Sequence, residues 1–191
     1  MKTFIIALKI FLFFTILTGI VYPLLVTGIA QITFPAKANG SMIFKDNKAI
    51  GSTLIGQQFD SVIYFSSRPS AIAYNPLPSG GSNYGLTNVK LKNQVAERKT
   101  HFWRFNQLDS LKTTIPSEML FASGSGLDPH ISLKAAMLQV DRIALARKFN
   151  RIQKIKIIQC VKEHTEDPQF ICFGEQRTNV LLLNIALDEI K

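Results

Sequence analysis

From Ile10 to Phe34 the chain runs for 25 residues without an Asp, Glu, Lys, Arg or His, and that stretch limits its fold more than any other feature. A bilayer core requires only about 20 apolar residues as helix. As helix, this run spans roughly 37 Å, more than the ~30 Å of hydrocarbon. The reading is a single transmembrane helix over residues 10–34, a short segment 1–9 before it and one domain over 35–191 after it. A secretory signal cut after Ala36-x-Ala38, leaving Asn39 as the new N-terminus, competes with this. Signal h-regions are only about 7–15 residues long, so a retained anchor is expected. Gly19, Pro23 and Gly28 interrupt the run. In lipid such residues are tolerated where a neighbouring helix packs close, although Gly and Pro are also commoner in membrane helices generally. They are the candidate packing positions.

Lys2 and Lys9 favour a cytoplasmic N-terminus, whereas Lys37, Lys45 and Lys48 favour the reverse. Long domains cross largely regardless of charge, so the short flank decides. The expected topology is N-terminus inside and main domain outside, single-pass.

Composition matters once the helix is set aside. Residues 37–191 hold 20 of the 22 Lys and Arg and all 13 acids, a balance of +7. A domain of this size buries roughly two-thirds of its unfolded surface and needs no disulfide. Cys160 and Cys172 could form one bridge in an oxidising compartment or remain two thiols. The positive balance fits anionic lipid, an acidic protein partner or a plain solvated surface. Nucleic acid is not expected, since no basic run is interleaved with aromatics.

Met42-Ile43-Phe44 and Ala49 to Ile55, separated by Lys45-Asp46-Asn47-Lys48, predict a strand pair. From Ser61 to Asn88 no helical or strand period survives; Tyr64, Phe65, Ile72, Tyr74 and Tyr84 suggest a long loop that packs down. Thr87 or Asn88 caps a helix from Val89 to about Arg104, with Leu91, Val95 and Phe102 inward. Ile115-Pro116-Ser117-Glu118 starts a short helix. Ser132 caps a long helix through Leu133, Ala136, Met137, Val140, Ile143 and Ala144, ending near Asn150. Arg151 to Glu163 reads as a helix through Ile152, Ile155 and Ile158, with a strand as the alternative. Gln169 to Phe173 reads as a short strand, and Asn179 caps Val180 to Ile190. The fold class is α+β, with more helix than strand.

Chemical motifs are sparse. Gly51 to Gly56 has P-loop glycine spacing, but Gln57-Gln58 stands where the phosphate-binding Lys and the Mg-binding Ser or Thr belong. The Asp-Lys-Thr-Gly string of aspartyl-phosphate pumps is missing. Ser123, Ser125, Asp128 and His130 supply the residue types of a triad, yet triads assemble from distant segments and Gly-x-Ser-x-Gly is absent. Gly124, Gly126, Asp128 and Pro129 instead suggest a fixed turn, the two glycines admitting positive φ, that presents His130. His101, His130 and His164 with Glu163 and Glu166 lack metal-site spacing.

Several strings together resemble one family. They are Tyr64-Phe65-x-x-Arg68-Pro69-Ser70-Ala71, Ser79-Gly80-Gly81-Ser82-Asn83, Ala122 through Ser123-Gly124-Ser125-Gly126-Leu127-Asp128-Pro129-His130 to Ser132, His164-Thr165-Glu166, and Gly174-Glu175-x-Arg177-x-Asn179-Val180-Leu181. In this order they are similar to the C subunit of bacterial Kdp-type potassium-transporting P-type ATPases. The resemblance implies a non-catalytic accessory subunit beside a channel-like potassium-binding subunit and a catalytic ATP-hydrolysing subunit. The complex would use ATP, magnesium and potassium, with none bound by this chain itself. The family is also ascribed a role in raising the pump's affinity for ATP, which is cytoplasmic, whereas the flanking charges put this domain outside. The motif residues are then structural or interfacial. A membrane-anchored serine hydrolase using Ser125 and His130 is the alternative, and a serine-reactive probe would reveal it.

Overall fold

A computed structural model describes residues 1–170 and 172–190. The chain divides into two compact units, residues 1–50 and residues 51–191.

In the first unit, α1 (Lys2–Ile16), a π-helical turn (Leu17–Val21) and α2 (Tyr22–Thr33) form one apolar helix of 32 residues. It extends the uncharged run back through Lys9 to Lys2. Pro23 lacks an N–H, and its ring crowds the carbonyl four residues earlier. The wider turn just before it absorbs that defect. Thr15, Thr18, Thr27 and Thr33 donate their hydroxyls to the carbonyls of Phe11, Phe14, Pro23 and Ile29 at 2.7–2.8 Å. These hydroxyls are thereby satisfied without water, as a lipid environment requires. No residue of α1 or α2 is buried, so their apolar side chains need a solvent other than water. After α3 (Pro35–Ala38), β1 (Met42–Lys45) and β2 (Lys48–Ser52) form the expected pair. Asp46 and Asn47, at φ +50 and +60, make the two-residue turn, whose double positive φ matches strand twist.

The second unit contains α4 (Val89–Phe105), a 3-10 turn (Ser117–Met119), β3 (His130–Ile131), α5 (Leu133–Met137), α6 (Val140–Ala146), α7 (Arg151–Glu163), β4 (Thr165–Glu166), β5 (Arg177–Asn179) and α8 (Val180–Asp188). The strands form an antiparallel sheet in the order β3-β5-β4, with His130 opposite Asn179, Ile131 and Thr165 opposite Thr178, and Glu166 opposite Arg177. Ile131, Ile143, Ile157, Val161, Val180, Leu183 and Leu187 are buried in one core with Phe65.

The caps follow the sequence. Asn88, Ser132, Asn150 and Asn179 each accept backbone N–H bonds at the start of a helix. Asn150 thus begins α7, with Gln153 completing a capping box, rather than ending the helix before it. That earlier helix is also broken: α5 stops at Met137 and α6 restarts at Val140. At the break, buried Gln139 turns its amide to Ser66. Helix α7 buries Ile157, Cys160 and Val161, while Ile152 and Ile155 face out. The expected face is therefore rotated, because the i, i+3, i+4 set that meets α5, α6 and α8 starts at Ile157. Where a short strand over 169–173 is expected, the described residues show an isolated bridge between Gln169 and Phe173; Ile171 within that expectation, and Lys191 at the end of the chain, lie outside the described residues. Cys160 is buried, Cys172 is exposed, and neither is bridged. In the loop, Phe65 is fully buried and Tyr64, Ile72 and Tyr74 are half-buried, but Tyr84 is exposed.

Candidate interaction site

Buried backbone groups need partners, and the irregular stretch after β2 cannot supply its own. Four polar side chains in or capping α6 and α8 do so. The Asn184 amide brackets Phe65, accepting from its N–H at 2.8 Å and donating to its carbonyl at 3.0 Å. Gln139 Oε1 accepts from Ser66 N–H at 2.7 Å. Arg147 Nε donates to Ile63 O at 2.9 Å. Arg142, 2% exposed, donates to the carbonyls of Val62 and Tyr64, to Asn106 Oδ1 and to Gln139 Oε1, and lies over the Phe105 ring. Burial pulls its guanidinium down to about 10. The sequence reading missed all four residues. Their signal is a polar residue standing within an apolar helical stripe.

With its near end pinned, the loop carries Arg68-Pro69-Ser70 and Gly80-Gly81 onto the 123–130 turn. Ser123 N–H donates to Pro69 O at 3.3 Å, Gly80 N–H to Ser125 O at 3.0 Å, and Gly56 N–H to Leu127 O at 2.7 Å. Ser70 Oγ accepts from the N–H groups of Ile72 and Tyr74. Gly126 has φ +71, and a Cβ there would sit 2.5 Å from Ile72 Cγ1 and 2.9 Å from Gly80 O. Gly124 has neither a positive φ nor any atom within 4 Å of such a Cβ, so only one of the two expected glycines is conformationally required. At Gly56 a Cβ would meet Asp128 O at 2.7 Å. The P-loop-like glycine is therefore a packing glycine.

Asp128 centres the electrostatics. Its Oδ1 accepts from His130 N–H at 3.0 Å, forming the expected Asx turn, and lies 3.5 Å from His130 Nδ1. Its Oδ2 meets Arg68 Nη1 at 2.5 Å. Burial alone would raise the carboxyl, but hydrogen bonds from His130 and the Arg68 guanidinium outweigh that and hold it at about 2. Pro129 O accepts from Val180 N–H at 2.9 Å. Asn179, opposite His130 in the sheet, caps α8 through Oδ1 and donates from Nδ2 to Thr53 O at 2.8 Å. Four motif strings thus close on one junction. It borders a groove of about 630 Å³ lined by Arg68, Glu118, Asp128, His130, Glu175 and Arg177; Arg177 pairs with Glu166 at 3.0 Å.

Some expected site residues stand apart. Ser79 and Asn83 are exposed, Ser82 is half-buried, and Asn83 has φ +53. Gly19 and Gly28 of the apolar helix have open space where a side chain would be. Ser125 Oγ accepts from Leu127 N–H while His130 Nδ1 faces Asp128, so the turn does not pair a hydroxyl with a base. Among the described residues no group of three or more His, Cys, Asp or Glu could hold a metal ion.

Comparison with known proteins agrees along nearly the whole chain. Residues 4–189 match the family model described as KdpC, the K+-transporting ATPase c chain. The potassium-transporting ATPase KdpC subunit of Pectobacterium atrosepticum is 47% identical over 188 residues, covering 97% of this chain and 95% of that one. Its counterpart in Dechloromonas aromatica is 46% identical over 188 residues, covering 96% and 95%. The protein of that name from Mycobacterium tuberculosis is 45% identical over 186 residues, covering 96% of each. A chain with one long apolar helix, a mixed α+β domain and this extent of identity belongs to the KdpC family of K+-transporting ATPase subunits.

Proposed function

We propose that this chain is a non-catalytic accessory subunit that stabilises the potassium-transporting complex and assists potassium access or ATP use by the catalytic subunit. Its partners are a channel-like potassium-binding subunit and a catalytic ATPase subunit. ATP, magnesium and potassium are handled by the complex, and this chain holds none of them itself. The apolar helix anchors it in the bacterial cytoplasmic membrane, with the N-terminus inside and the main domain outside.

One observation carries this reading: the polar groups at the 123–130 turn are engaged within the domain, in an ion pair, an Asx turn and a helix cap. Arg68, Asp128, His130 and Asn179 build a fixed junction, and Ser125 is committed to a backbone N–H. Such a junction gives a rigid face beside a groove, suited to docking rather than to covalent chemistry. The names of the relatives, each a subunit of a potassium-transporting ATPase, support the same reading. The test is to purify the full-length tagged chain from native membranes and identify what travels with it. The two larger subunits should co-purify in constant ratio. Migration of the chain alone, with potassium-stimulated ATP hydrolysis intact in a complex lacking it, would defeat the proposal.

A further inference from the structure

Among the described residues of the second unit, none packs over the isoleucines on the outward face of α7. Arg151, Ile152, Ile155, Lys156, Gln159, Lys162 and Glu163 are all exposed. At 100° per residue they fall on one arc of the helix, opposite the buried Ile157, Cys160 and Val161. Ile152 is 67% and Ile155 55% exposed; three apart, they form a contiguous apolar spot rather than two scattered ones. Three cations flank that spot. The carboxylates nearby are Glu163, to which Gln159 donates at 2.8 Å, Glu189, which lines the adjoining surface, and Asp141, which is paired with Lys154.

The charges are also placed against the helix's own preference. The first turn of α7 contains no acid, and Arg151 opens it. A cation there is opposed by the positive end of the helix dipole. Lys154, one turn on, is neutralised by Asp141 at 2.7 Å, whereas Arg151 and Lys162 point outward with the isoleucines.

We infer that this face of α7 docks on an anionic lipid surface, the isoleucines entering the headgroup boundary and Arg151 and Lys162 meeting phosphates. A basic helix with an apolar centre is what such a surface binds, and long cationic side chains can lay their stems along apolar material while their heads reach phosphate. The same chain carries a membrane-spanning candidate, so a bilayer is always within tether reach and a weak contact is used at high effective concentration. Anionic lipid is favoured over an acidic protein because the face offers charge and apolar area with no buried hydrogen-bonding group to fix a partner's orientation. The inference holds on either side of the membrane.

The test uses the full chain with Cys172→Ser, the buried Cys160 left in place and a nitroxide at Ile152→Cys, reconstituted in phosphatidylcholine vesicles with or without phosphatidylglycerol. A second label at Ser110→Cys, on an exposed turn, is the control. With phosphatidylglycerol, position 152 should lose access to a water-soluble nickel chelate and gain access to oxygen; position 110 should not change. High salt should reverse the effect, because screening shortens the reach of surface charge. Adding Arg151→Glu and Lys162→Glu should abolish it while the thermal midpoint stays the same. Equal accessibility of position 152 in both lipids overturns the inference. So does shielding that appears only in the assembled complex and without regard to lipid charge, which would assign the face to a protein partner.

Discussion

Arg68 and Asp128, sixty positions apart, meet through Nη1 and Oδ2 at 2.5 Å, while the other oxygen of Asp128 takes the backbone N–H of His130. One carboxylate thus ties the irregular loop to the turn that opens the sheet. Its folded value of about 2 lies below the unfolded 3.8. A depressed acid contributes stability that is fully present above the unfolded value and is lost as pH falls through the folded one. Asp128→Asn should therefore destabilise the protein by on the order of 1–2 kcal/mol at pH 7. The gap to the parent should narrow below pH 4. Denaturant titrations of both proteins from pH 7 to pH 3 check this; a gap independent of pH would show that shape, not charge, is what Asp128 provides.

Arg142 is buried and holds the loop through several hydrogen bonds at once. Arg142→Met keeps much of the volume but strands the carbonyls of Val62 and Tyr64 and Asn106 Oδ1, while Gln139 Oε1 keeps the Ser66 N–H. The expected loss is about 3 kcal/mol or more, since each buried acceptor left unpaired costs roughly 1–3 kcal/mol. Arg142→Lys should recover only part of it, because a single ammonium cannot reproduce the fork. Hydrogen exchange should show residues 62–66 opening first in both variants.

The chain announces some of this in its sequence and hides the rest. Asn88, Ser132 and Asn179 are legible because a cap is a local device: one side-chain oxygen and N–H groups within three residues. The apolar helix is legible because twenty-odd uncharged residues have few other uses. The sheet is hidden because His130–Ile131, Thr165–Glu166 and Arg177–Asn179 are too short to show any alternation. The support of the loop by Gln139, Arg142, Arg147 and Asn184 is hidden for another reason. Its partners are 73 to 119 residues apart, and no local period encodes them. The motif strings drew attention to the right turn, but which glycine the turn requires became clear only from φ and from what lies beside each Cα.

The two glycines of that turn should behave differently. Gly126→Ala should destabilise by roughly 1–3 kcal/mol, from strain at positive φ and contact with Ile72 and Gly80. Gly124→Ala has open space and ordinary φ, and should change stability by no more than about 0.5 kcal/mol. Thermal unfolding of the pair checks this, and equal effects would show that the turn is not the rigid junction described.

Topology can be read from one thiol. Cys172 is exposed and Cys160 buried, so a membrane-impermeant maleimide added to intact spheroplasts should label Cys172, and Cys172→Ser should remove the label. Labelling only after lysis would place the domain inside.

If α1 and α2 pack against a larger subunit, Gly19→Leu or Gly28→Leu should lower the yield of intact complex, because each fills the space a close helix would use. The second unit should unfold at an unchanged temperature. Unaltered complex yield for both would reduce the helix to an anchor.

The central proposal, that the 123–130 turn supports assembly and performs no chemistry, is tested most directly by potassium-stimulated ATP hydrolysis of the purified complex carrying either Ser125→Ala or Gly126→Val. Ser125→Ala should retain nearly full activity and normal subunit ratio. Gly126→Val should lose activity together with this subunit, a β-branched side chain being a severe outlier at φ +71. The opposite pattern, an inactive but fully assembled Ser125→Ala complex beside an active Gly126→Val complex, would contradict the proposal and make Ser125 a reacting group.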